Sequence, residues 1–522
     1  MSNRIFTDDT AKAMLRELAY QRYNLAQYDS LSALEKQIGA EYDSQRNGKI
    51  YATKLWKFAT NQTSTGERLL DSVGKTCTPS TDSVIGQDDF LNDSSIFQWM
   101  HCNYTRDDDG TARVKSLEGM PSYRTEGAYD VGTIAPTFYW KCEEHPGYDI
   151  IYMSDSPNHA LGLVPFILAV KDGMVMPYYV ISSYPSVTAS DGNARSQPGL
   201  APVYDQSYND CITLYQKKGT GYWGGGNAEN LHAILFMIIK YATKNSQNVM
   251  RGCCEFDIQL KVAKAESNTR RVLVSDKGRF YEGCCVSIGD GTQTDRSYNG
   301  AHKIANRVRV KSIEEVTINN GKYYALNLEL SSAITTTTDC IVTSMPCFSG
   351  ETDNVVGRYD GSYLNNTDGN HTFRIHGVEY MWGQYAVLCD TVLEMSGETA
   401  GTAIAERPLG WDVYVAPKGT PHVKDAHANY IKEGTIPYNK GTDTYGGDFG
   451  LTSRSYFIKT IGSSSSNGTG DIIWEGGSGI NNGTLREFLS LGYLGGGSGA
   501  GLGIVACGCE LGLRYWRFGS RD

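Results

Sequence analysis

The chain has 522 residues, of which 20% are charged and 40% hydrophobic, and its net charge is −10. This composition excludes disordered and fibrous proteins and leaves room for roughly two to four domains around a large core. The mild acidity argues against a nucleic-acid-binding protein, because no basic stripe is present to neutralise phosphates.

No segment predicts secretion or membrane insertion. The longest apolar runs, 161–170 and 233–239, are far too short to span a bilayer, and no apolar leader follows the first residue. The 13 cysteines include neighbouring pairs at 253–254 and 284–285, a spacing that suits neither a disulfide framework nor a zinc ribbon. We therefore expect a soluble protein made in a cytoplasm, with mostly buried thiols, no metal and no cofactor.

Tyrosine and glycine are abundant, with 34 Tyr and 58 Gly in the chain. Tyrosine provides a large amphipathic contact area at low entropic cost, and small polar residues provide adaptable hydrogen bonds, which is the mixture found in binding loops. A loop-rich β protein that needs many turns would have the same glycine content. Composition alone leaves both interpretations open.

Residues 1–49 predict two short helices, which we interpret as an attachment or oligomer-contact segment. Ser32 with Glu35 has the pattern of a capping box for the second helix. Short strands and polar turns then predict a β-rich domain over residues 50–130. The acidic run 107–109 lacks the alternating ligand spacing of a calcium loop, so it is interpreted as a solvated turn.

Residues 131–254 predict aromatic-rich strands followed by the clearest helix of the chain, near 227–243. Apolar side chains recur at helical spacing from Leu231 to Ala242, and Asn227 is available as the cap. One strongly buried helix is thus expected in a chain otherwise rich in strands.

The loop before this helix, Gly219-Thr-Gly-Tyr-Trp-Gly, matches the G-x-G-x-x-G pattern of dinucleotide-binding folds. It follows a strand-like segment at 212–215. The bulky Tyr222 and Trp223 lie inside the loop, and no repeated βαβ pattern accompanies it. We therefore predict no nucleotide site here.

Residues 255–350 predict a small β-barrel or sandwich inserted into the surrounding domain. Asn320-Gly321 is a strong hairpin signal between the last two strand candidates. The segment lacks the basic and aromatic groove that single-stranded nucleic acid requires. The strand candidates are 256–262, 272–275, 286–288, 307–318 and 323–330.

Residues 351–522 combine short aromatic strands with a glycine-rich run between 476 and 508. The chain then returns to the dense ending Leu511-Gly-Leu-Arg-Tyr-Trp-Arg-Phe, which predicts a last core strand and not a trailing tail. We expect this region to be a folded display surface that is rich in loops.

Four segments carry a resemblance to a known family: the buried helix, Gly377-Val-Glu-Tyr-Met-Trp-Gly, Trp474-Glu-Gly-Gly and the closing Leu511-Gly-Leu-Arg. Their order is similar to the C-type lectin-like fold of formylglycine-generating enzymes and of phage tail proteins diversified by retroelements. The resemblance implies an α+β, mostly β chain, with a lectin-like domain in two parts, 131–254 and 351–522. The inserted β domain lies between these parts, and the helical attachment segment precedes them.

By this resemblance the chain looks like a phage tail receptor-binding protein, a homotrimer at the virion tail tip that adheres to a bacterial glycan or protein. Its N-terminal segment would contact other tail proteins, and its variable loops would be products of a diversity-generating retroelement. Catalysis, nucleic-acid binding and membrane insertion are not expected. The residues expected to reach a ligand are Trp474, Asn481, Asn482, Arg486, Tyr493 and Ser498, with Trp474 favoured as an anchor of the loop.

Two other functions remain open from the sequence. A structural baseplate or virion protein would need only the attachment segment. A copper oxidase of the formylglycine-generating type would need Cys507 and Cys509, whose side chains would share one face if both lay on a strand. Two thiols without a histidine or carboxylate cluster make this second alternative the weaker one.

Overall fold

The computed structural model describes residues 48–291, 295–297, 299–397, 410–439, 442–475 and 480–522. This structure is mostly β, with 40% strand and 10% helix, as the sequence predicts. The helical segment predicted for residues 1–49 lies outside the described residues, apart from Gly48 and Lys49. None of the described helices combines the length and the apolar character needed to cross a membrane.

Two sheets form the first part of the chain. One has the strand order β10-β8-β9-β1-β2 and the other the order β13-β7-β5-β6. Both sheets pair strands across the domain boundary expected at residue 130. The strands are β1 (Ile50–Trp56), β2 (Glu67–Leu70), β3 (Cys77–Thr78), β4 (Gln87–Asp88), β5 (Met100–Arg106), β6 (Ala112–Leu117), β7 (Asp130–Pro136), β8 (Tyr139–Glu144), β9 (Tyr148–Ser154), β10 (Val164–Pro165), β11 (Val170–Lys171), β12 (Met174–Val175), β13 (Tyr178–Ser182), β14 (Ser186–Thr188) and β15 (Ala194–Ser196).

Helix α1 (Tyr208–Gln216) lies where the sequence pattern suggested a strand at 212–215. Ser207 explains the difference, because it forms a capping box with Asp210: the Asp210 amide donates to the Ser207 hydroxyl, and the Ser207 amide donates to the Asp210 carboxylate. The prediction of a strand at this position is therefore wrong.

Helix α2 (Asn227–Tyr241) confirms the helix predicted from apolar spacing, although the residue that caps it is Gly226 and not Asn227. Every residue from Asn227 to Lys240 is buried. The helix contacts β1 and β9 of the first sheet as well as strands of the C-terminal part of the chain. It is thus the element around which both parts of the fold pack.

The inserted segment forms one sheet with the order β16-β23-β19-β20-β21-β18. A bridge between Lys264 and Leu273 joins the ends of this sheet, which nearly closes it into a barrel. The predicted hairpin is present, but its turn residues are Asn319 and Asn320, both with positive φ. The strands are β16 (Gln259–Lys261), β17 (Glu266–Thr269), β18 (Arg271–Val274), β19 (Cys285–Gly289), β20 (Ala305–Ile318), β21 (Gly321–Leu328), β22 (Ile334–Thr336) and β23 (Ile341–Ser344).

The C-terminal part contains a nine-stranded sheet whose main path is β29-β28-β27-β33-β34-β32-β30-β31, with β35 pairing parallel to β27. The strands are β24 (Gly361–Ser362), β25 (Phe373–Ile375), β26 (Val378–Tyr380), β27 (Tyr385–Ser396), β28 (Gly410–Val415), β29 (Ile431–Pro437), β30 (Thr444–Leu451), β31 (Tyr456–Ile461), β32 (Ile472–Trp474), β33 (Leu485–Leu491), β34 (Gly501–Ala506) and β35 (Phe518–Gly519).

The last core strand is β35, so the prediction of a strand at Leu511-Gly-Leu-Arg is wrong. Residues 511–517 form turns and irregular chain, and Leu513 is 44% exposed. The aromatic residues that suggested a strand do pack, since Trp516 and Phe518 are buried. These side chains are therefore buried although most of the segment does not pair with a neighbouring strand.

Glu379 on β26 gives a pH-dependent prediction. Its buried carboxylate accepts hydrogen bonds from the Gly350 and Thr352 amides, and burial with nearby Asp353 raises the pKa of Glu379 to about 8, from an ordinary value of 4.5. Its contribution to stability is complete below pH 4.5 and is lost as the pH rises towards 8. Between these values we expect it to lower the free energy of unfolding by about 1.4 kcal/mol per pH unit.

Urea unfolding at several pH values in this range checks the prediction. Glu379→Gln should show a shallower decline with pH than the unaltered protein, whereas Glu510→Gln, at an exposed position, should keep the original slope. Parallel pH profiles for Glu379→Gln and the unaltered protein would show that Glu379 does not titrate in this range.

Candidate functional site

The turn at residues 481–484 immediately precedes β33 and is the most exposed part of the predicted ligand region. Thr484 N donates to Asn481 O at 3.0 Å, and Gly483 has a φ of +79°, the arrangement of a type II turn with glycine at its third position. Gly483 N also donates to Met395 O of β27 at 2.8 Å. The Asn481 side chain makes no hydrogen bond to the described residues, so it is free to meet a ligand.

Three side chains on the neighbouring strands and loop extend this turn into a surface. His427 Nε2 lies 2.7 Å from Glu394 Oε2, and the His427 ring stacks on Tyr414 with 4.0 Å between centroids. A Cβ on Gly483 would lie 3.8 Å from Glu394 Oε1, which places this cluster beside the turn. We call Asn481, Asn482, Glu394, Tyr414 and His427 together the display surface.

The six predicted ligand residues do not form one cluster. Strand β33, seven residues long, separates the Asn481–Asn482 turn from Tyr493 and Ser498 by roughly 20 Å of strand. Ser498 is exposed, whereas the Tyr493 ring lies under the Arg517 guanidinium, 4.5 Å from its carbon. Tyr493 is therefore held within the fold. Of the six residues, Asn481, Asn482 and Ser498 are exposed, and Asn482 Oδ1 accepts the Gly397 amide at 2.8 Å.

Trp474 and Arg486 are partly buried. Trp474 ends β32 and pairs with Ala506. Arg486 Nη1 donates to Leu485 O at 2.9 Å. The Trp474 and Arg486 Nε atoms are buried and have no hydrogen-bond partner among the residues that the structure describes.

Cys507 and Cys509 do not share a face. Strand β34 ends at Ala506, so the alternation expected of a strand does not continue through them. Cys507 lies in the main core cluster, whereas Cys509 packs against a second cluster with Leu485. Burial raises the pKa of Cys507 well above its usual value and that of Cys509 to about 12, which opposes the thiolate form that binds copper.

A second site, which the sequence did not predict, lies at the start of α2. A cleft of about 130 Å³ opens between the glycine-rich loop before α2, the turn after β5 and the segment that follows β28. Five glycines line this cleft. They are Gly110, Gly221, Gly224, Gly226 and Gly419.

Three carboxylates line this cleft: Asp109 pairs with Lys171 at 3.2 Å, and the other two lie at the start of α2. Asp390 of β27 accepts the Asn227 amide through Oδ1 at 2.9 Å, and Glu229 of α2 accepts the Gly226 amide through Oε2 at 2.9 Å. Each carboxylate thereby satisfies an amide at the helix start. Burial, with repulsion from Glu229, raises the pKa of Asp390 to about 7.

Groups that can donate or accept hydrogen bonds lie on another wall of the cleft. His422 Nδ1 is 3.0 Å from Trp223 O, and burial lowers the pKa of His422 to about 4. The ring is therefore neutral at pH 7, with Nδ1–H donating and Nε2 left as an acceptor. Lys418 Nζ donates to Leu168 O at 3.3 Å, and no carboxylate of the described chain pairs with it.

The G-x-G-x-x-G loop was the sequence signal for this cleft, and its glycines lie in close contact with neighbouring elements. A Cβ on Gly221 would lie 1.6 Å from the Asp107 carbonyl oxygen, and one on Gly226 would lie 2.1 Å from the Asp390 carboxylate. The glycines thus allow close packing of three elements. Asp390 and Lys418 lie far from this loop in the sequence, and no sequence pattern around either residue predicted the cleft.

One further cluster resembles a metal site. Ligand atoms of Cys77, Asp88 and Asp360 lie within 4.8 Å of one another. Lys240 of α2 already provides the positive charge there, with Nζ 2.7 Å from Asp88 Oδ2 and also in contact with Asp360. We assign this cluster to structural ion pairing.

Comparisons with known proteins do not assign the chain to a family. No protein-family model matches it, and no curated protein is significantly similar to it.

Proposed function

We propose that the chain is a host-adhesion protein of a bacteriophage tail, which binds a receptor on the bacterial surface through the display surface. The observation that carries the proposal is the Asn481–Thr484 turn, an exposed turn fixed by hydrogen bonds to itself and to β27. Such a turn can bind a partner without a large ordering cost, because its backbone is already in place. Tyr414 and His427 add the flat, amphipathic rings common in binding surfaces.

We propose further that the scaffold is a C-type lectin-like domain. Support comes from the central helix α2, which packs against β27, β31 and β34 of the C-terminal sheet, and from β35, which returns the chain to β27. These contacts anchor the segments that carry the exposed loops. Function on loops above a fixed sheet is the arrangement expected of this kind of scaffold.

In the assembly that we propose, three copies stand at the virion tail tip, and residues 1–49 attach them to other tail proteins. Several copies per particle would strengthen weak individual contacts through avidity. Retroelement diversification would act on the exposed positions Asn481, Asn482 and Ser498. Changes at the buried residues of β33 and β34 would disturb the core instead.

Purified protein can be tested for adsorption to a panel of gut bacterial strains, with a double variant that alters the display surface. Asn481→Arg with His427→Ala should lower the affinity for a binding strain at least tenfold, because it adds a bulky charge to the turn and removes the stacked ring. Loss of the partly exposed His427–Glu394 pair should cost the fold about 0–1 kcal/mol.

The matched control is Gln62→Arg with His159→Ala, which also replaces a side-chain amide by arginine and a histidine by alanine, at exposed positions outside the display surface. It should adsorb like the unaltered protein. Equal adsorption by both double variants would place the receptor contact elsewhere on the chain.

A further inference from the structure

We propose that Lys240 and Asp360 condense to a covalent amide cross-link within the chain, with Asp88 as the proton carrier. Lys240 lies near the end of α2, Asp88 ends β4, and Asp360 immediately precedes β24. The ion pairs described above are the state from which this bond forms. None of the three residues belongs to the display surface, so the inference stands whether or not that surface binds a host receptor.

The three reacting groups are in contact and shielded from water. Lys240 Nζ lies 2.7 Å from Asp88 Oδ2 and is at hydrogen-bond distance from Asp360 Oδ2. None of the three side chains is more than 2% exposed. Because a carbon–oxygen bond is about 1.2 Å long, Nζ lies within about 4 Å of Asp360 Cγ, near the separation of reacting atoms in a productive arrangement.

Two donors besides the lysine hold the Asp360 carboxyl group. The His376 amide donates to Oδ1 at 2.8 Å, and the Tyr241 hydroxyl donates to Oδ2 at 3.1 Å. Negative charge develops on these oxygens when Nζ attacks Cγ, and donors that are already in place stabilise it. Oδ1 then remains as the amide oxygen, and Oδ2 leaves.

Asp88 is placed to move the protons. The Phe90 and Leu91 amides hold its Oδ1 at 3.1 and 3.2 Å, whereas its Oδ2 faces Lys240. Although burial opposes it, Asp360 and Asp88 raise the pKa of Lys240, so the ammonium must give up a proton before it can attack. Asp88 Oδ2 accepts that proton and passes it to the departing Oδ2 of Asp360.

The reaction needs no added reagent. The Nζ–Cγ bond forms and the Cγ–Oδ2 bond of Asp360 breaks, and no group is oxidised or reduced. Two protons of the ammonium leave with Oδ2 as one water molecule, and the third stays on the amide nitrogen. The fixed contact replaces a bimolecular encounter, and the buried site excludes the water that the reverse reaction requires.

Another buried lysine shows why Lys240 is singled out. Lys218 also contacts two buried carboxylates, but an arginine pairs with each of them, Arg195 with one and Arg106 with the other. Such charge-assisted pairs keep both carboxylates from acting as a proton carrier. Among the described residues, Lys240 is the cation that pairs with both carboxylates of its own cluster. We therefore expect the cross-link at Lys240 and not at Lys218.

The bond would change how the fold is held together. The chain between Lys240 and Asp360 contains the whole inserted β domain. The cross-link therefore closes a covalent loop around that domain and ties both of its ends to the central helix. Closing such a loop removes conformations from the unfolded chain and so stabilises the fold.

Mass spectrometry of the intact chain, denatured after overnight incubation at growth temperature, tests the proposal. We expect a mass lower than that of the unmodified sequence by one water molecule. Proteolysis should then release a branched peptide that joins the segments around Lys240 and Asp360. The unmodified mass, or a lost water without this branched peptide, would overturn the proposal.

Variants assign the roles of the three residues. Lys240→Arg keeps a cation but should show no lost water, and Asp360→Asn should lose ammonia in place of water. Asp88→Asn should slow formation of the branched peptide at least tenfold. The matched control Lys322→Arg changes an exposed lysine that pairs with Glu315, and it should cross-link like the unaltered chain. An unaltered rate in Asp88→Asn would overturn the role of Asp88, and a lost water in Lys240→Arg would overturn that of Lys240.

Discussion

Replacing Lys240 with methionine should lower the free energy of unfolding by about 3–5 kcal/mol, because it leaves two buried carboxylates without their cation. The side chains of Lys240, Asp88 and Asp360 are 2%, 1% and 1% exposed. Burial alone would lower the pKa of Lys240, but Asp360 and Asp88 raise it overall, which shows that the lysine is held in its charged form. Urea unfolding measures the loss.

Lys322→Met is the matched control for this prediction. Lys322 pairs with Glu315 at 3.1 Å, but their side chains are 77% and 50% exposed, and exposed pairs contribute about 0–1 kcal/mol. Equal destabilisation by the two variants would contradict the structural role assigned to the Lys240 cluster. A large loss for Lys240→Met alone would support it.

Replacing Gly221 with alanine should destabilise the fold by about 1–3 kcal/mol. The new Cβ would lie 1.6 Å from the Asp107 carbonyl oxygen, a backbone atom that cannot rotate away, so the loop before α2 or the turn after β5 must shift. The cost is steric and does not arise from a positive φ, since Gly221 has none. Thermal and urea unfolding measure it.

Gly512→Ala provides the comparison. No atom lies within 4 Å of a Cβ built on Gly512, and its φ is not positive, so the change should stay within about 0.5 kcal/mol of the unaltered protein. If Gly221→Ala were equally well tolerated, this result would contradict the close contact between the loop before α2 and the turn after β5.

The parts of the fold that the sequence predicted have strong local signals. Helix α2 follows from apolar spacing, and the β20–β21 hairpin follows from the asparagine and glycine between two strand patterns, although its turn lies one residue earlier than predicted. In each case neighbouring residues determine the conformation.

The predictions that failed depend on contacts distant in sequence or on a neglected local signal. The capping box of Ser207 with Asp210 outweighs the strand-like pattern at 212–215, so this segment forms helix α1. Residues 511–516 are apolar enough for a strand, but they form none. Strand β35, which follows them, pairs with β27. The cleft combines residues that are distant in sequence, such as Glu229 and Lys418.

The most direct test of the adhesion proposal is a competition titration with a phage that carries this protein. Increasing amounts of free intact protein should reduce phage adsorption to the host in a saturable manner, and the Asn481→Arg, His427→Ala variant should fail to compete. The control variant Gln62→Arg, His159→Ala should compete fully. Undiminished phage adsorption at saturating free protein, or full competition by the display-surface variant, would contradict the account.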